Sequence, residues 1–398
     1  MPRQAIEVLH LAFSHYPADT RVKRETQSLL ALGRRIAVIA LRGDGQRTVE
    51  RCSGVLAIRV PGRKTRGGLF RYLRDYLDFV GRCRHLVARH TRFAKLRVVH
   101  VHTLPDFLIW AALPAQRRGA RVVLDMHEIF PEFARTKFPR LGRVLGLLAQ
   151  IVERWARSRA DLTVTVTRPI DALLAARPIN RTEHRIILHN TADPADFGEG
   201  RERRVVVATP RERVLKLVYH GTLTPLYGLD VAIRATGIAR ATGLPVHLSI
   251  IGNGPERPRL RELIQTLGLS NDVRLEMPIP QTALPARLGE CDAGVVPTRL
   301  NGMTQYSLST KLLEYVHLGL PVLAARLPTY LAYLGWESAW YWDPDSPPDL
   351  ARAIRDFATS SPEEVARRAW QAHERLKSIA WPTEQERLLA AYKALLTS

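Results

Sequence analysis

Cysteine is scarce in this chain: Cys52, Cys83 and Cys291 are the only three in 398 residues. They are widely separated, form no metal-ligand spacing and cannot all pair. That argues against a disulfide framework and makes a reducing cytoplasm the expected setting. Long apolar runs are missing as well. No stretch reaches the ~18 residues of a spanning helix, so none is expected. The chain enters a strand-like run, Ile6–Phe13, almost at once and has no basic-then-apolar leader, so no signal sequence is expected either. There is no internal repeat and no low-complexity tract.

Acidic residues are thin in the first half. Residues 1–190 hold 35 Lys and Arg against 15 Asp and Glu, while residues 191–398 hold 24 against 23. Nearly all of the formal net charge of +21 therefore belongs to one half. A basic body favours an anionic partner: a membrane surface, a phosphorylated acceptor or nucleic acid. A genome that uses Arg as a generic surface residue is the plain alternative, but it does not explain the balanced second half. Two basic amphipathic stretches, residues 63–92 and 135–157, mix aromatic and aliphatic residues with Arg at helical spacing. Each suits a helix lying on an anionic bilayer, or an ordinary helix with its apolar face in the core.

What is present is a soluble composition, 46% hydrophobic, and a length suited to two domains. Strands are expected at 6–13, 36–41, 98–102, 122–126, 162–167 and 185–189. A second series is expected at 215–219, 246–251, 273–277, 293–297 and 321–324. Helical patterns fit between most of them, at 20–32, 107–118, 227–242, 256–267, 282–288 and 310–318. Strands separated by helices imply parallel, doubly wound sheets, and two series imply two such domains. The boundary is expected within 190–213, a turn-rich then charged segment, giving domains 1–195 and 196–380. Residues 381–398 read as one capped amphipathic helix with Pro382 at its start. Ligands of such sheets sit beyond the C-terminal strand ends.

Four motifs follow in order along the second half. Gly221 follows the first strand and lets backbone approach a ligand. Ile250-Ile-Gly-Asn-Gly-Pro-Glu256 is a tight strand-to-helix turn, and Cys291–Thr298 is a buried strand. Then comes Gln305-Tyr-Ser-Leu-Ser-Thr-Lys-Leu-Leu-Glu314, where small hydroxyl residues run into a helix that ends at Gly-Leu-Pro321. A helix start has free N–H groups and positive dipole, Lys311 adds a cation, and Glu314 can accept from ribose or sugar hydroxyls. That set suits a nucleotide-sugar; a capped helix with a Glu–Lys surface pair is the bland reading.

In that order the motifs resemble the retaining GT-B glycosyltransferases of family 4, over nearly the whole chain. In the first half the resemblance rests on Tyr16–Glu25, Val99-His-Val-His-Thr103, Leu124-Asp-Met-His-Glu-Ile-Phe-Pro-Glu132 and Leu188–Asp193. It implies an α/β GT-B architecture, two Rossmann-like doubly wound domains facing a cleft. The first would take the acceptor and the second the nucleoside diphosphate sugar, with helix 381–398 returning to the first. It implies that Glu314 holds the donor ribose and that His127 lies near the anomeric carbon, the two expected catalytic residues. The donor set would add Gly221, Thr222, Asn253, Leu308, Ser309, Thr310 and Lys311. The family's first motif glutamate falls on Tyr306, and its usual phosphate cations fall on Thr222 and Tyr227. Lys311 and Arg299 are the expected substitutes.

On the acceptor side, His102 follows a strand and is a candidate to line the same cleft as His127, and Asp19, Arg21 and Arg24 follow the first strand and are candidates to grip a phosphorylated acceptor; a charged helix start with local ion pairs is the other reading of those three. His100, His102, His127 and Glu128 lack metal-site spacing, so no metal is expected. The expected activity is sugar transfer, without cofactor, to a lipid-linked or membrane-associated glycan, by a cytoplasmic protein peripheral to the membrane. A soluble acceptor such as a natural-product aglycone, and a non-catalytic sugar-nucleotide-binding protein, stay open. Nucleic acid is not expected, since no recognition helix, zinc or RNA-binding signature is present.

Overall fold

A computed structural model describes residues 6–62, 69–90, 96–138, 140–198 and 214–397. Two compact units emerge: Met1–Asn190 with Pro382–Ser398, and Thr191–Trp381. Both are α/β with Rossmann-like sheets.

The first unit has an eight-stranded sheet, built from β1 (Val8–His15), β2 (Ile36–Leu41), β3 (Val49–Cys52), β4 (Val55–Val60), β5 (Val98–His102), β6 (Arg121–Met126), β7 (Leu162–Thr165) and β8 (Arg185–Ile187). Their spatial order is β3-β4-β2-β1-β5-β6-β7-β8, parallel except for the β3–β4 pair. The inner strands are runs of Val, Ile, Leu and Ala buried on both faces, as parallel strands covered by helices must be. Leu9 pairs with Ala37 on one side and Val99 on the other, so β1 sits central. The helix Trp381–Thr397 belongs to this unit. Leu388, Tyr392 and Leu396 join Val8, Val38 and Val98 in its core. The Glu384 carboxylate accepts from the His189 backbone N–H at 2.8 Å, and Gln385 donates to Ser28 Oγ at 2.9 Å.

The second unit has six parallel strands in the order β11-β10-β9-β12-β13-β14. These are β9 (Leu215–His220), β10 (Val246–Ile251), β11 (Val273–Glu276), β12 (Ala293–Val296), β13 (Val322–Ala325) and β14 (Trp340–Trp342). One contact fixes the helix Thr310–His317 on this sheet. The Tyr315 ring lies over Gly294 of β12, where a Cβ would come within 2.3 Å of Cδ2, and its phenol accepts from the His220 N–H at 3.2 Å.

All eleven expected strands form, with ends within two residues of the sequence reading. The β3–β4 hairpin, β14 and the helices Pro347–Thr359 and Pro362–Leu376 were not among the expected elements. The hairpin turns through Ser53 and Gly54, both at positive φ (48° and 88°), a two-residue loop whose signal is short and local. The helix expected over 107–118 is instead a 3-10 turn, Asp106–Ala111, followed by the four-residue helix Leu113–Gln116. Pro114 lacks the N–H that would carry the helix through. Of the basic stretch 63–92, residues 63–68 and 91–92 lie outside the described residues, and the helix Leu69–His90 accounts for the rest.

Because Leu388 is fully buried in the first unit's core, Leu388→Ala should cost about 2–5 kcal/mol in equilibrium urea unfolding. A loss under about 0.5 kcal/mol would mean that the last helix does not complete this core.

Candidate functional site

In the first unit, the loops beyond β1, β5 and β6 enclose a pocket of about 410 Å³. Its polar lining includes Asp19, Asp75, His102, His127 and Glu128, beside Tyr72 and Tyr76. No Arg or Lys lines it among the described residues. Asp19 caps the helix Thr20–Leu30, accepting from the Val22 N–H at 3.3 Å. Burial pushes its carboxyl up, but His127, Ser14 and His102 pull it further down, so it is held below the ordinary value.

Beneath this pocket lies a buried charge cluster. Arg21, 3% exposed, donates through Nε and Nη2 to both oxygens of Asp125 at 2.8 Å, and through Nη1 to the Leu188 carbonyl at 2.9 Å. Its Nε is also 3.0 Å from Glu25. Arg24 is buried as well and donates to Asn190 Oδ1 at 2.7 Å. The two arginines expected at an acceptor phosphate thus turn inward. The reason is burial: an unpaired guanidinium could not stay there, and Asp125 supplies its counter-charge.

Asp125 Oδ2 also meets His127 Nε2 at 2.9 Å and His102 Nδ1 at 3.0 Å. Burial raises the Asp125 carboxyl, but Arg21 and then His127 outweigh it and hold it well below the carboxylate range. Glu25, equally buried, goes the other way: desolvation dominates and lifts it well above its ordinary value despite Arg21. One arginine faces two carboxylates, and Asp125, with the better hydrogen bonds, keeps the charge.

His10, His100 and His102 stack nearby, with ring centroids 4.4–5.2 Å apart and planes within 23° of parallel. Burial holds all three imidazoles below their ordinary value, His102 at about 3. With Glu25 they are close enough to suggest a metal set. However, in-plane lone pairs of stacked rings run side by side rather than to one point, and His10 Nδ1 lies 2.9 Å from His102 Nε2 as a hydrogen bond. His100 Nδ1 bonds instead to the Tyr392 hydroxyl at 2.6 Å.

In the second unit, Gly221 ends β9 at φ +123°. A Cβ there would meet Lys311 Cε at 2.4 Å, so only glycine leaves room for this lysine. The Lys311 ammonium lies 4.0 Å from the Tyr227 ring centroid and 5.4 Å from that of Tyr219. Burial lowers it to about 8, partly offset by Glu314. Glu314 is 12% exposed, and its Oε2 is 3.0 Å from His220 Nε2. Ser309 starts the helix without a side-chain cap bond. Thr222 and Asn253 are exposed on neighbouring loops, and the Leu223 N–H donates to the Asn253 carbonyl at 3.0 Å. Gly252 and Gly254 permit this close loop packing, since a Cβ at either would fall within about 2.2 Å of a backbone oxygen. Tyr306, Leu308, Ser309 and Thr310 are half-buried around the helix start.

Arg299, the other expected diphosphate cation, is committed elsewhere. It forms a two-pronged pair with Asp230 at 2.7 and 2.8 Å, pairs with Asp345, and donates to the Pro225 carbonyl at 3.0 Å. Sequence reasoning missed Asp125, Glu25, His10 and His220. The available signal was a charged or imidazole residue inside an otherwise apolar strand or facing a helix interior.

Residues 18–190 match the model of a glycosyl transferase 4-like domain, and residues 202–375 match that of glycosyl transferases group 1. Together they span most of the chain, which belongs to the family 4-type glycosyltransferases. One relative is the D-inositol 3-phosphate glycosyltransferase of Thermobispora bispora, 31% identical over 250 residues, covering 58% of this chain and 54% of that protein. The chain thus spans about half the length of this curated relative. Among solved structures, sucrose-phosphate synthase from Thermosynechococcus elongatus superposes with a TM-score of 0.78 at 16% identity, over 98% of this chain and 99% of that one. HepE from Anabaena, solved in complex with UDP-glucose, gives 0.68 at 14%, over 98% and 100%. At such identities the likeness speaks for the fold, which is GT-B.

The two buried carboxylates should respond differently to neutral replacement. Asp125→Asn leaves Arg21 without its counter-charge and should cost about 3–5 kcal/mol. Glu25→Gln removes a carboxyl already biased to its neutral form and should cost under about 1 kcal/mol at pH 7. The signs also differ. The stabilisation from Asp125, a depressed group, is present above the unfolded value and lost as pH falls through the folded one. Glu25, a raised group, makes stability decline as pH rises above its unfolded value, and Glu25→Gln should flatten that decline. Urea unfolding from about pH 2 to pH 8 checks both, Asp125 in the acid limb and Glu25 in the neutral one; equal losses would refute the assignment.

Proposed function

We propose that this chain is a retaining glycosyltransferase that moves a sugar from a nucleoside diphosphate sugar to a hydroxyl of a lipid-linked or membrane-held glycan. The observation that carries the donor half is the cluster of Gly221, Lys311 and Glu314 at a helix start without a side-chain cap. The first-turn N–H groups, the helix dipole and the Lys311 ammonium together suit a diphosphate. Glu314, close beside His220, suits the ribose hydroxyls. HepE binds UDP-glucose on the same fold, which supports a nucleotide-sugar as the ligand class.

In the proposed reaction the acceptor oxygen attacks the anomeric carbon on the face from which the diphosphate leaves. The bond from that carbon to the phosphate oxygen breaks, the new glycosidic bond forms, and the departing phosphate oxygen takes the hydroxyl proton. Helix dipole and Lys311 stabilise the charge that develops on the leaving group, so the proposal invokes no metal. His127 has Nε2 fixed on Asp125, which leaves its Nδ1 edge as the one able to meet a ligand. The acceptor pocket is lined by carboxylates, imidazoles and phenols without Arg or Lys. Such a lining accepts hydroxyl hydrogens and repels phosphate, so it suits the sugar end of a glycan rather than a phosphorylated group. The strongly basic half supports the membrane-held reading of the acceptor and a peripheral, cytoplasmic setting.

A thermal-shift and calorimetric panel of nucleoside diphosphates and their sugars tests the donor half. Glu314→Ala should weaken the binding of the best ligand by roughly 30- to 150-fold, about 2–3 kcal/mol. With Lys311 charged only below about 8, wild-type affinity for the diphosphate should fall roughly tenfold between pH 7 and pH 9. Lys311→Met should bind weakly and without that slope. A wild type that neither hydrolyses nor transfers any sugar in the panel would overturn the enzyme reading.

A further inference from the structure

The helix Gly142–Arg159 is amphipathic in the opposite sense to a core element. Its buried residues are Gly142, Gly146, Ala149, Glu153, Ala156 and Arg157. Leu145, Val152 and Trp155 are half-buried, while four other large apolar side chains, Val144, Leu147, Leu148 and Ile151, with Leu141 just before them, are each more than half exposed. At about 100° per residue these five occupy roughly 120° of arc, one continuous outer stripe.

The inner face explains how the helix is held without them. Gly142 and Gly146, one turn apart, close on Arg135 of the helix Phe130–Lys137. A Cβ at Gly142 would lie 2.8 Å from the Arg135 carbonyl oxygen, and one at Gly146 2.5 Å from its Nε. Arg157 donates to Glu183 at 2.5 Å and to the carbonyls of Leu174 and Arg177 at 2.9 Å each. Glu153 takes Arg157 at 3.3 Å and Arg177 at 3.1 Å. Small residues, buried ion pairs and the half-buried Leu145, Val152 and Trp155 thus seat the helix, and the five exposed apolar side chains contribute little to that packing. An apolar stripe of this length on a surface marks a contact with something outside the described chain.

Charge selects the partner. Arg140, Arg143 and Arg154 are exposed along one edge of the stripe, and the only acidic residue of the helix, Glu153, is buried. A second copy docking stripe to stripe would crowd these arginines against their own kind. An anionic leaflet offers phosphates to the arginines and acyl chains to the stripe. No helix among the described residues is long and apolar enough to cross a membrane, so the contact would be interfacial. We infer that the outer face of residues 141–155 docks this chain on an anionic phospholipid bilayer. The inference deepens the reading of a membrane-held acceptor, yet it stands or falls on binding alone.

The test is flotation of the full chain with phosphatidylcholine vesicles, with and without phosphatidylglycerol, for wild type and for the triple variant Val144→Ser, Leu147→Ser, Ile151→Ser. Wild type should float with the anionic vesicles and lose binding at high salt, and the triple variant should bind about tenfold less. Its donor hydrolysis should equal that of wild type. Equal flotation of the two proteins, or no preference for anionic vesicles, would overturn the inference. So would a wild-type dimer that the triple variant converts to monomer. If the variant does not fold, hydrogen exchange on wild type decides: residues 141–155 should gain protection with anionic vesicles, and unchanged exchange there overturns the proposal. Vesicle binding without transfer to any membrane-held acceptor would uphold the docking face and remove the acceptor reading instead.

Discussion

The first unit depends on one buried ion pair. Arg21, from the first helix, holds Asp125, from the middle of the sheet, and at the same time reaches the carbonyl of Leu188 beyond β8. A guanidinium and a carboxylate removed from water each cost several kcal/mol unless the geometry is nearly complete. Here Arg21 takes both oxygens of Asp125, and His102 and His127 add to Oδ2. The pair therefore does more than neutralise charge. It fixes which oxygen faces His127 and so which edge of that imidazole is turned away from the sheet. The orientation of an imidazole lining the pocket is set by a group that does not reach it.

The second unit differs, because it buries a cation without a salt bridge among the described residues. Lys311 is not tied into a salt bridge in the way Arg299 is to Asp230. It lies against two tyrosine rings under Gly221, where burial lowers its proton affinity. An aromatic shelf stabilises an ammonium less than a carboxylate would, which suits the diphosphate of the proposed donor. Tyr315 clamps the helix that carries Lys311 and Glu314 onto Gly294, and the same phenol receives the N–H of His220. Adjacent positions in one helix thus divide packing from the proposed binding.

Much of this was legible in the sequence. Runs rich in Val, Ile and Leu marked the parallel strands, because a strand buried on both faces admits polar residues only where partners are built in, as at His10, His100 and Asp125. The glycines at 221, 252 and 254 marked backbone that must pass close to other backbone. The elements missed were those whose signals are short: the two-residue Ser53–Gly54 turn and the three-residue strand β14. The site was legible less evenly. Glu314, Lys311 and His127 stood in motifs, whereas Arg21, Arg24 and Arg299 looked like ligand cations and proved to be bound to Asp125, Asn190 and Asp230. A guanidinium reads the same in sequence whether it faces water or a carboxylate a hundred residues away.

The sequence by itself determined the two α/β halves, the order of their strands along the chain, the uneven charge and the motif at 305–324, since each is written in local periodicity or composition. The tertiary structure decided which charges are spent inside and which remain for a ligand, because that depends on partners distant in sequence. It also decided the sense of the helix Gly142–Arg159. Its pattern is amphipathic on either reading, and an apolar stripe alone suggests a core face. Only the fit of Gly142 and Gly146 against Arg135, and of Arg157 among its buried partners, turns that stripe outward.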